Sequence, residues 1–424
     1  MVDDFLAQTF TISNHPVRRL SKSMRRQYVA ALGTILCYTT RGNTKAMFVF
    51  ETWISSISTS ESPLSTTILD TTDLKKTINL EDEIKFTSQH LRNLLFDCFY
   101  LQEKAEICKK KELYDDLCMM IYNEISRDSL NYVYEYFNAH NNGSKLSVNL
   151  RRHRDSHFVF CHQKMKRVLV VATMSAGKST LINAMVGEKV NRVKATVCTS
   201  KAHYIYNAPC QKGASVKLYG ELKYTEDISV MQSDSVDSLA IGFNSLLLKD
   251  SRICIIDTPG ANYSADDTHE EITKRLISKN NYDLLVFVFN ALQLGIDGER
   301  SFLKFVMKRC KKKMIFVLNQ CDRYNEEDDS IYEAIKYVRE MVSEFSLKEY
   351  PIIPVSGMAA YQIRQAKYHS LDRHATFLYN QWVELFNSPY YNFQSYVANA
   401  TSTSECIELI DKTGITYLEK TILL

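Results

Sequence analysis

VLVVATMSAGKSTLINAMVG, residues 168–187, starts as a short β-branched apolar run and finishes in a helical pattern, with the loop A-x-x-x-x-G-K-S between them. A strand that turns into a helix leaves backbone N–H groups aimed at the turn. The helix N-terminus adds partial positive charge, so the turn forms a cradle for polyphosphate. Lys178 is the cation that reaches the outer phosphates, and the Ser179 hydroxyl suits Mg²⁺. Met174, Ala176, Gly177 and Thr180 complete the loop. Ala172 replaces the usual first glycine, which demands that the backbone there keep a negative φ.

Further along lie four more apolar runs of similar length: RICIIDT, LLVFVFN, MIFVLN and PIIPVS. Runs this short, rich in Val and Ile and separated by helical patterns, read as strands buried on both faces. The fold class is therefore α/β, a P-loop domain with a mostly parallel, doubly wound sheet. Polar motifs close several strands, at the edge where ligands bind in open parallel sheets. ICIIDTPG ends in Asp257, which is placed to hold Mg²⁺ through water, and Gly260, whose amide can approach a γ-phosphate. MIFVLNQCD ends in Asn319, Gln320 and Asp322. A carboxylate at that position accepts two hydrogen bonds from guanine that adenine cannot donate, so the nucleotide expected is GTP rather than ATP. Gln320 replaces the commoner lysine, giving a shorter stem over the base. In PIIPVSGM, Ser356 and Gly357 offer backbone amides to the guanine carbonyl, or are a plain strand end. Between the first two motifs, NRVKATVCTSKA supplies a switch threonine for Mg²⁺, with Thr199 preferred and Thr196 its rival.

The region before these motifs has a different texture. LRNLLFDCFYLQ, LYDDLCMMIYNEI and LNYVYEYF repeat apolar residues at three and four, which predicts an α-helical domain over residues 1–140. SSISTSESPLSTTILDTTD reads as a long loop whose end caps a helix starting near Leu74. Residues 141–162 read as a linker, and residues 163–424 as the nucleotide domain. The aromatic residues of NYVYEYF are assigned to core packing.

Composition narrows the partners. With 52 basic and 49 acidic residues among 424, the formal charge is +3, so no overall field favours nucleic acid or an anionic surface. RRHR at 151–154 reads as solvated linker, and KRCKKK at 308–313 as a helix end that favours cations. Eleven scattered cysteines without a C-x-x-C pair, and an acidic start, MVDDFLAQTF, point to a reduced cytoplasm. The ten histidines show no metal-ligand spacing, so no zinc or iron site is expected. The most apolar stretch is too short to span a bilayer, which needs about 20 residues, and membrane contact is expected to be peripheral.

MSAGKSTLINAMVG, CTSKA, DTPGAN, NYDLLVFVFNALQLG and NQCD together resemble the dynamin superfamily, in particular bacterial dynamin-like GTPases. About eighty residues separate Lys178 from Asp257 and about sixty more reach Asn319, room for an enlarged G domain. The resemblance implies GTP hydrolysis with Mg²⁺. In this reading Ser175 helps hold a monovalent cation, Lys178, Ser179, Thr199, Asp257 and Gly260 serve the phosphates and metal, and Asn319 and Asp322 serve the base. It also implies homodimerisation through G domains. The residue that orients water in many members is replaced here by Met174, and Ala261 follows DTPG, so unassisted turnover is expected to be slow. The competing reading is a GTP-dependent switch with negligible turnover whose N-terminal helices read a protein or a membrane surface. Membrane remodelling is a lesser reading. The lipid-binding stalk of remodelling members has no counterpart after DKTGITYLEKTILL, so either the N-terminal helices stand in for it or the chain is a piece of a longer protein.

Overall fold

The computed structural model describes residues 4–8, 14–57, 68–81, 86–107, 109–173, 175–191, 202–209, 211, 213–233, 235–259, 267–370, 372–397 and 408–424. They fall into two compact units. The first comprises Met1–His162 with Cys210–Ser215 and Leu222–Tyr224, and the second holds the remainder from Gln163 to Leu424.

Among its described residues the first unit contains seven α-helices: α1 Lys22–Thr40, α2 Thr44–Ile57, α3 Thr71–Ile78, α4 Ser88–Lys104, α5 Lys110–Met120, α6 Glu124–Phe137 and α7 Val148–His162. Polar residues start several of them by taking up N–H groups that the first turn leaves unpaired. Ser21 caps α1, Asp70 caps α3 and Asn123 caps α6, while Thr87 and His90 form a reciprocal box at α4. Twelve of the seventeen residues of α4 are buried, so it is the central helix of the unit. Val133, Tyr136 and Phe137 of NYVYEYF are core residues. The 141–162 stretch, expected as a linker, contains α7 and groups with the helices. The helix is hard to see in the sequence because only Leu150, His157 and Phe160 of its fifteen residues are buried.

The described residues form a nine-stranded sheet, all of which belongs to the second unit except Ala214, Ser215 and Leu222–Tyr224. Its strands are β1 Lys166–Ala172, β2 His203–Asn207, β3 Ala214–Leu218, β4 Glu221–Thr225, β5 Val236–Ile241, β6 Ile253–Asp257, β7 Leu284–Asn290, β8 Lys313–Asn319 and β9 Ile352–Val355, in the order β4-β3-β5-β2-β6-β1-β7-β8-β9. The helices of the second unit are α8 Lys178–Val186, α9 Ile228–Met231, α10 Asp267–Lys279, α11 Asp297–Arg309, α12 Ile331–Ser343, α13 Gly357–Tyr368, α14 Arg373–Leu385, α15 Leu409–Lys412 and α16 Ile415–Leu423. β1 pairs in parallel with β6 and β7, and β7, β8 and β9 continue in parallel, whereas β2 runs antiparallel to β6. The α/β, mostly parallel fold expected from the apolar runs is the fold observed. Every residue of β7 is buried, as a central strand covered on both faces requires. Parallel pairing brings the C-terminal ends of β6, β1, β7, β8 and β9 to one edge, and with them Asp257, Thr173, Ser175, Ala176, Gly177, Asn290, Asn319 and Ser356.

Candidate functional site

β1 ends at Ala172, a strand residue with no exposed surface, so the alanine sits where an extended backbone is wanted. Ser175 then takes φ 62° and Gly177 φ 77°, both left-handed, and α8 begins at Lys178. No side chain caps α8, and its first amides face the loop. Glycine is required at 177 for two reasons: positive φ strains other residues, and a Cβ there would collide with the Asn319 carboxamide.

Asn319 closes β8 and joins three motifs. Its Nδ2 donates to the carbonyls of Ala176 at 2.9 Å and Gly177 at 3.3 Å, while its Oδ1 accepts the Gly357 N–H at 3.0 Å. Gln320 Nε2 donates to the Ser175 carbonyl at 2.6 Å, and Asn290 Nδ2 reaches the same oxygen at 3.3 Å. The phosphate loop and the NQCD loop therefore lie side by side. Gly357 begins α13, and a Cβ on it would press within 3.3 Å of Leu181 and 3.2 Å of Asn319. Ser356 is fully buried and caps α13 through the Ala359 N–H. Burial raises the Asp322 carboxyl above the usual carboxylate range, opposed by a hydrogen bond with the Ser356 hydroxyl.

At the other side of the loop Lys178 forms a buried ion pair with Asp257 Oδ1. Burial lowers the lysine to about 7. Asp257 Oδ2 accepts Asn191 Nδ2 at 2.9 Å, and Asn191 Oδ1 lies 3.0 Å from His203 Nδ1. Because the asparagine oxygen can only accept, His203 carries its proton on Nδ1. Burial, followed by the charge of Lys178, lowers His203 to about 4, so it is neutral at physiological pH. Asn183 of α8 fixes the residue before and the backbone of Asn191: its Oδ1 accepts the Val190 and Asn191 N–H groups and its Nδ2 donates to the Asn191 carbonyl.

The structure thus brings Ser175, Ala176, Gly177, Lys178, Ser179, Thr180, Asp257, Asn319, Gln320, Asp322, Ser356 and Gly357 to the same strand-end edge of the second unit. Ser175 is exposed, Ser179 half-buried and Thr180 buried. Met174, Thr196, Thr199, Gly260 and Ala261 lie outside the described residues. Sequence reasoning missed Asn183, Asn191, His203 and Asn290. Asn183 and Asn290 did leave a signal, as single carboxamides inside the apolar runs LINAMV and LLVFVFN. The donors beside Lys178, a serine hydroxyl and an aspartate carboxylate, are oxygen ligands of the kind a hard cation such as Mg²⁺ takes together with substrate phosphates. Among the described residues no three His, Cys, Asp or Glu side chains gather into an all-protein metal cage.

Residues 168–321 match the dynamin family. A probable transmembrane GTPase, FZO-like and chloroplastic, of Arabidopsis thaliana is 27% identical over 198 residues, which are 46% of this chain and 20% of that protein. A bacterial dynamin-like protein of Nostoc punctiforme is 27% identical over 183 residues, 39% of this chain and 26% of that one. The chain therefore spans well under half the length of these two relatives. A solved structure described as an oligomerised bacterial dynamin pair aligns with 98% of this chain and 62% of its own, at 17% identity and a TM-score of 0.37.

Proposed function

We infer that this chain, whose residues 168–321 belong to the dynamin family, binds GTP with Mg²⁺ and hydrolyses it to GDP and phosphate. The observation that carries this reading is the Asn319 carboxamide, which links the phosphate loop to both guanine-side motifs within hydrogen-bond distance. A single nucleotide can then lie across them. In this reading the amides from Ser175 to Thr180 and the Lys178 ammonium bind the β- and γ-phosphates, and Ser179, Thr199 and Asp257 would hold the Mg²⁺, which would supply neutralisation of charge developing on the phosphates. Lys178 exchanges its carboxylate partner for phosphate oxygens. Asp322 and the 356–357 amides read the purine edge, and Gly260 senses the γ-phosphate. Water attacks the γ-phosphorus in line with the bond to the departing GDP.

Two finer points belong to the same proposal. By the dynamin resemblance, position 174 is where many members carry a water-orienting residue, and methionine has almost no hydrogen-bonding power, so we take turnover to depend on a second G domain and a homodimer to be the active species. If no second domain supplies that help, the chain is a GTP-dependent switch. Among the described residues no helix is long and apolar enough to cross a membrane, so we take any membrane association of these residues as peripheral. Titrating the chain with GTP and ATP tests the base assignment: GTP is expected to bind much more tightly, and equal affinity overturns it. Turnover measured against protein concentration separates the two modes, since a steep rise marks dimer-activated hydrolysis and a flat, near-zero rate marks a switch.

A further inference from the structure

The helical unit buries a second set of reactive groups that the nucleotide site does not use. Lys104, the last residue of α4, places Nζ 2.5 Å from Nδ1 of His157 on α7. An ammonium has three donors and no acceptor, so Nδ1 must be the lone-pair nitrogen and the proton of the neutral ring sits on Nε2. That nitrogen is 3.3 Å from Cys161 Sγ. His157 and Cys161 are four apart on one helix, the spacing that stacks side chains on a face. The sulfur therefore receives an N–H backed by a cation, the setting that favours thiolate over thiol.

The charges nearby are otherwise matched. Glu103 pairs with Arg154 at 3.4 Å, and the Arg154 guanidinium lies 4.3 Å from the centre of the Phe137 ring. Asp97 receives His15 at 3.0 Å and the Tyr28 hydroxyl at 2.8 Å. The Tyr100 ring is 5.3 Å from Lys104 Nζ, and its hydroxyl meets His153 at 2.9 Å. Lys104 is only 9% exposed and His157 1%, so an anion close at hand has a large effect on the lysine. Burial pulls Lys104 below the ordinary lysine value, and the charge of Cys161 is the leading influence pulling it back. Cys161 itself is half-buried and carries no disulfide, which leaves room for a small electrophile.

We propose that Cys161 is a nucleophilic thiolate, held by His157 and Lys104, and that it is a site of oxidation by hydroperoxides. The sulfur attacks the distal peroxide oxygen, the S–O bond forms as the O–O bond breaks, and sulfur loses two electrons. The departing alkoxide or hydroxide takes the proton of His157 Nε2, and Lys104 replaces that proton through Nδ1. The products are a sulfenic acid and an alcohol or water, and the lysine charge and the sulfur charge disappear together.

The test uses the whole chain with limiting iodoacetamide across a pH series, with labelling at each cysteine resolved by peptide mass spectrometry. At about pH 6.5, Cys161 is expected to label about ten-fold faster than Cys37 and Cys118, which are also half-buried. Lys104→Met and His157→Asn should remove the excess, and Lys104→Arg should keep part of it. After hydrogen peroxide, a dimedone adduct should appear at Cys161 and vanish in Cys161→Ser. A wild-type profile in which Cys161 labels no faster than the other two overturns the proposal without any variant. So does an unchanged rate in a Lys104→Met protein that retains its thermal transition.

Discussion

Lys104 and Lys178 are buried to the same degree, 9% exposed, one in each unit, and they differ in what faces them. Lys178 meets a carboxylate, Asp257, fixed by the end of β6, and Lys104 meets an imidazole with a thiol behind it. A buried cation costs several kcal/mol unless an anion or a strong acceptor offsets it. At Lys178 the proposed function makes the acceptor exchangeable, with a triphosphate taking the carboxylate's place. At Lys104 the acceptor is His157, with Cys161 behind it on the same helix, and the charge instead tunes that neighbour. In the proposed reading, the same physical problem yields a ligand site in one unit and a reactive side chain in the other.

The contrast fails first if Lys178 does not depend on phosphate. Lys178→Ala is expected to weaken GTP binding by about 1,000-fold, because the cation that faces the phosphates is lost and the Asp257 carboxylate is left beside them unpaired. Calorimetric titration that finds a loss below about ten-fold removes the role. Next comes the base end, where Asp322→Asn keeps the shape of the side chain and removes the acceptor pair. The preference for GTP over ATP should fall by about 100-fold, read from competition binding, with the phosphate contacts untouched.

Glu299 is a buried carboxyl with no ion-pair partner among the described residues. Glu299 on α11 has no exposed surface, accepts the Gly295 N–H at 3.0 Å through Oε1, and leaves Oε2 without a hydrogen-bond partner. Burial raises it to about 7 against 4.5, with the Gly295 bond acting the other way. Between those values the folded chain holds a proton that the unfolded chain has released, so this contribution is complete at low pH and fades as pH rises through 7. Glu299→Gln should leave stability unchanged near pH 5 and raise it by about 2 kcal/mol at pH 8, measured by denaturant titration. An equal effect at both pH values contradicts the assignment. The smallest effect expected is at Asn191. Asn191→Ala frees one oxygen of Asp257 and should weaken apparent Mg²⁺ affinity by about 1 kcal/mol, seen in Mg²⁺-dependent binding of a fluorescent GTP analogue.

These pairs also show how far the sequence could be read. Lys178, Asp257, Asn319 and Asp322 stand beside runs of apolar strand residues, and parallel pairing leaves those ends only one place to go. The α/β fold and the gathering of these motifs at one edge were legible for that reason. Asn191 and His203 were not, because their partners become neighbours only when β2 turns antiparallel against β6 and sets His203 opposite Asp257. Cys161 and His157 were hidden differently. They lie in a polar segment whose helix is specified by packing on α4 more than by its own pattern, and Lys104 reaches them across 53 positions of chain.

The helix that begins at the phosphate cradle is clamped at both ends. At its start Asn319 grips the carbonyls of Ala176 and Gly177, and at its far end Arg364 of α13 donates to the carbonyl of Ala184. Arg364 is itself held by Glu419 of α16 at 2.7 and 2.8 Å, and Ser245 joins the same carboxylate at 2.8 Å. Mechanically, α8 is a beam fixed at two supports. It can neither tilt nor slide when its mouth is filled without breaking an ion pair sealed from solvent, so the stiffness of the cradle is inherited from residues 142 to 180 positions downstream of those they grip.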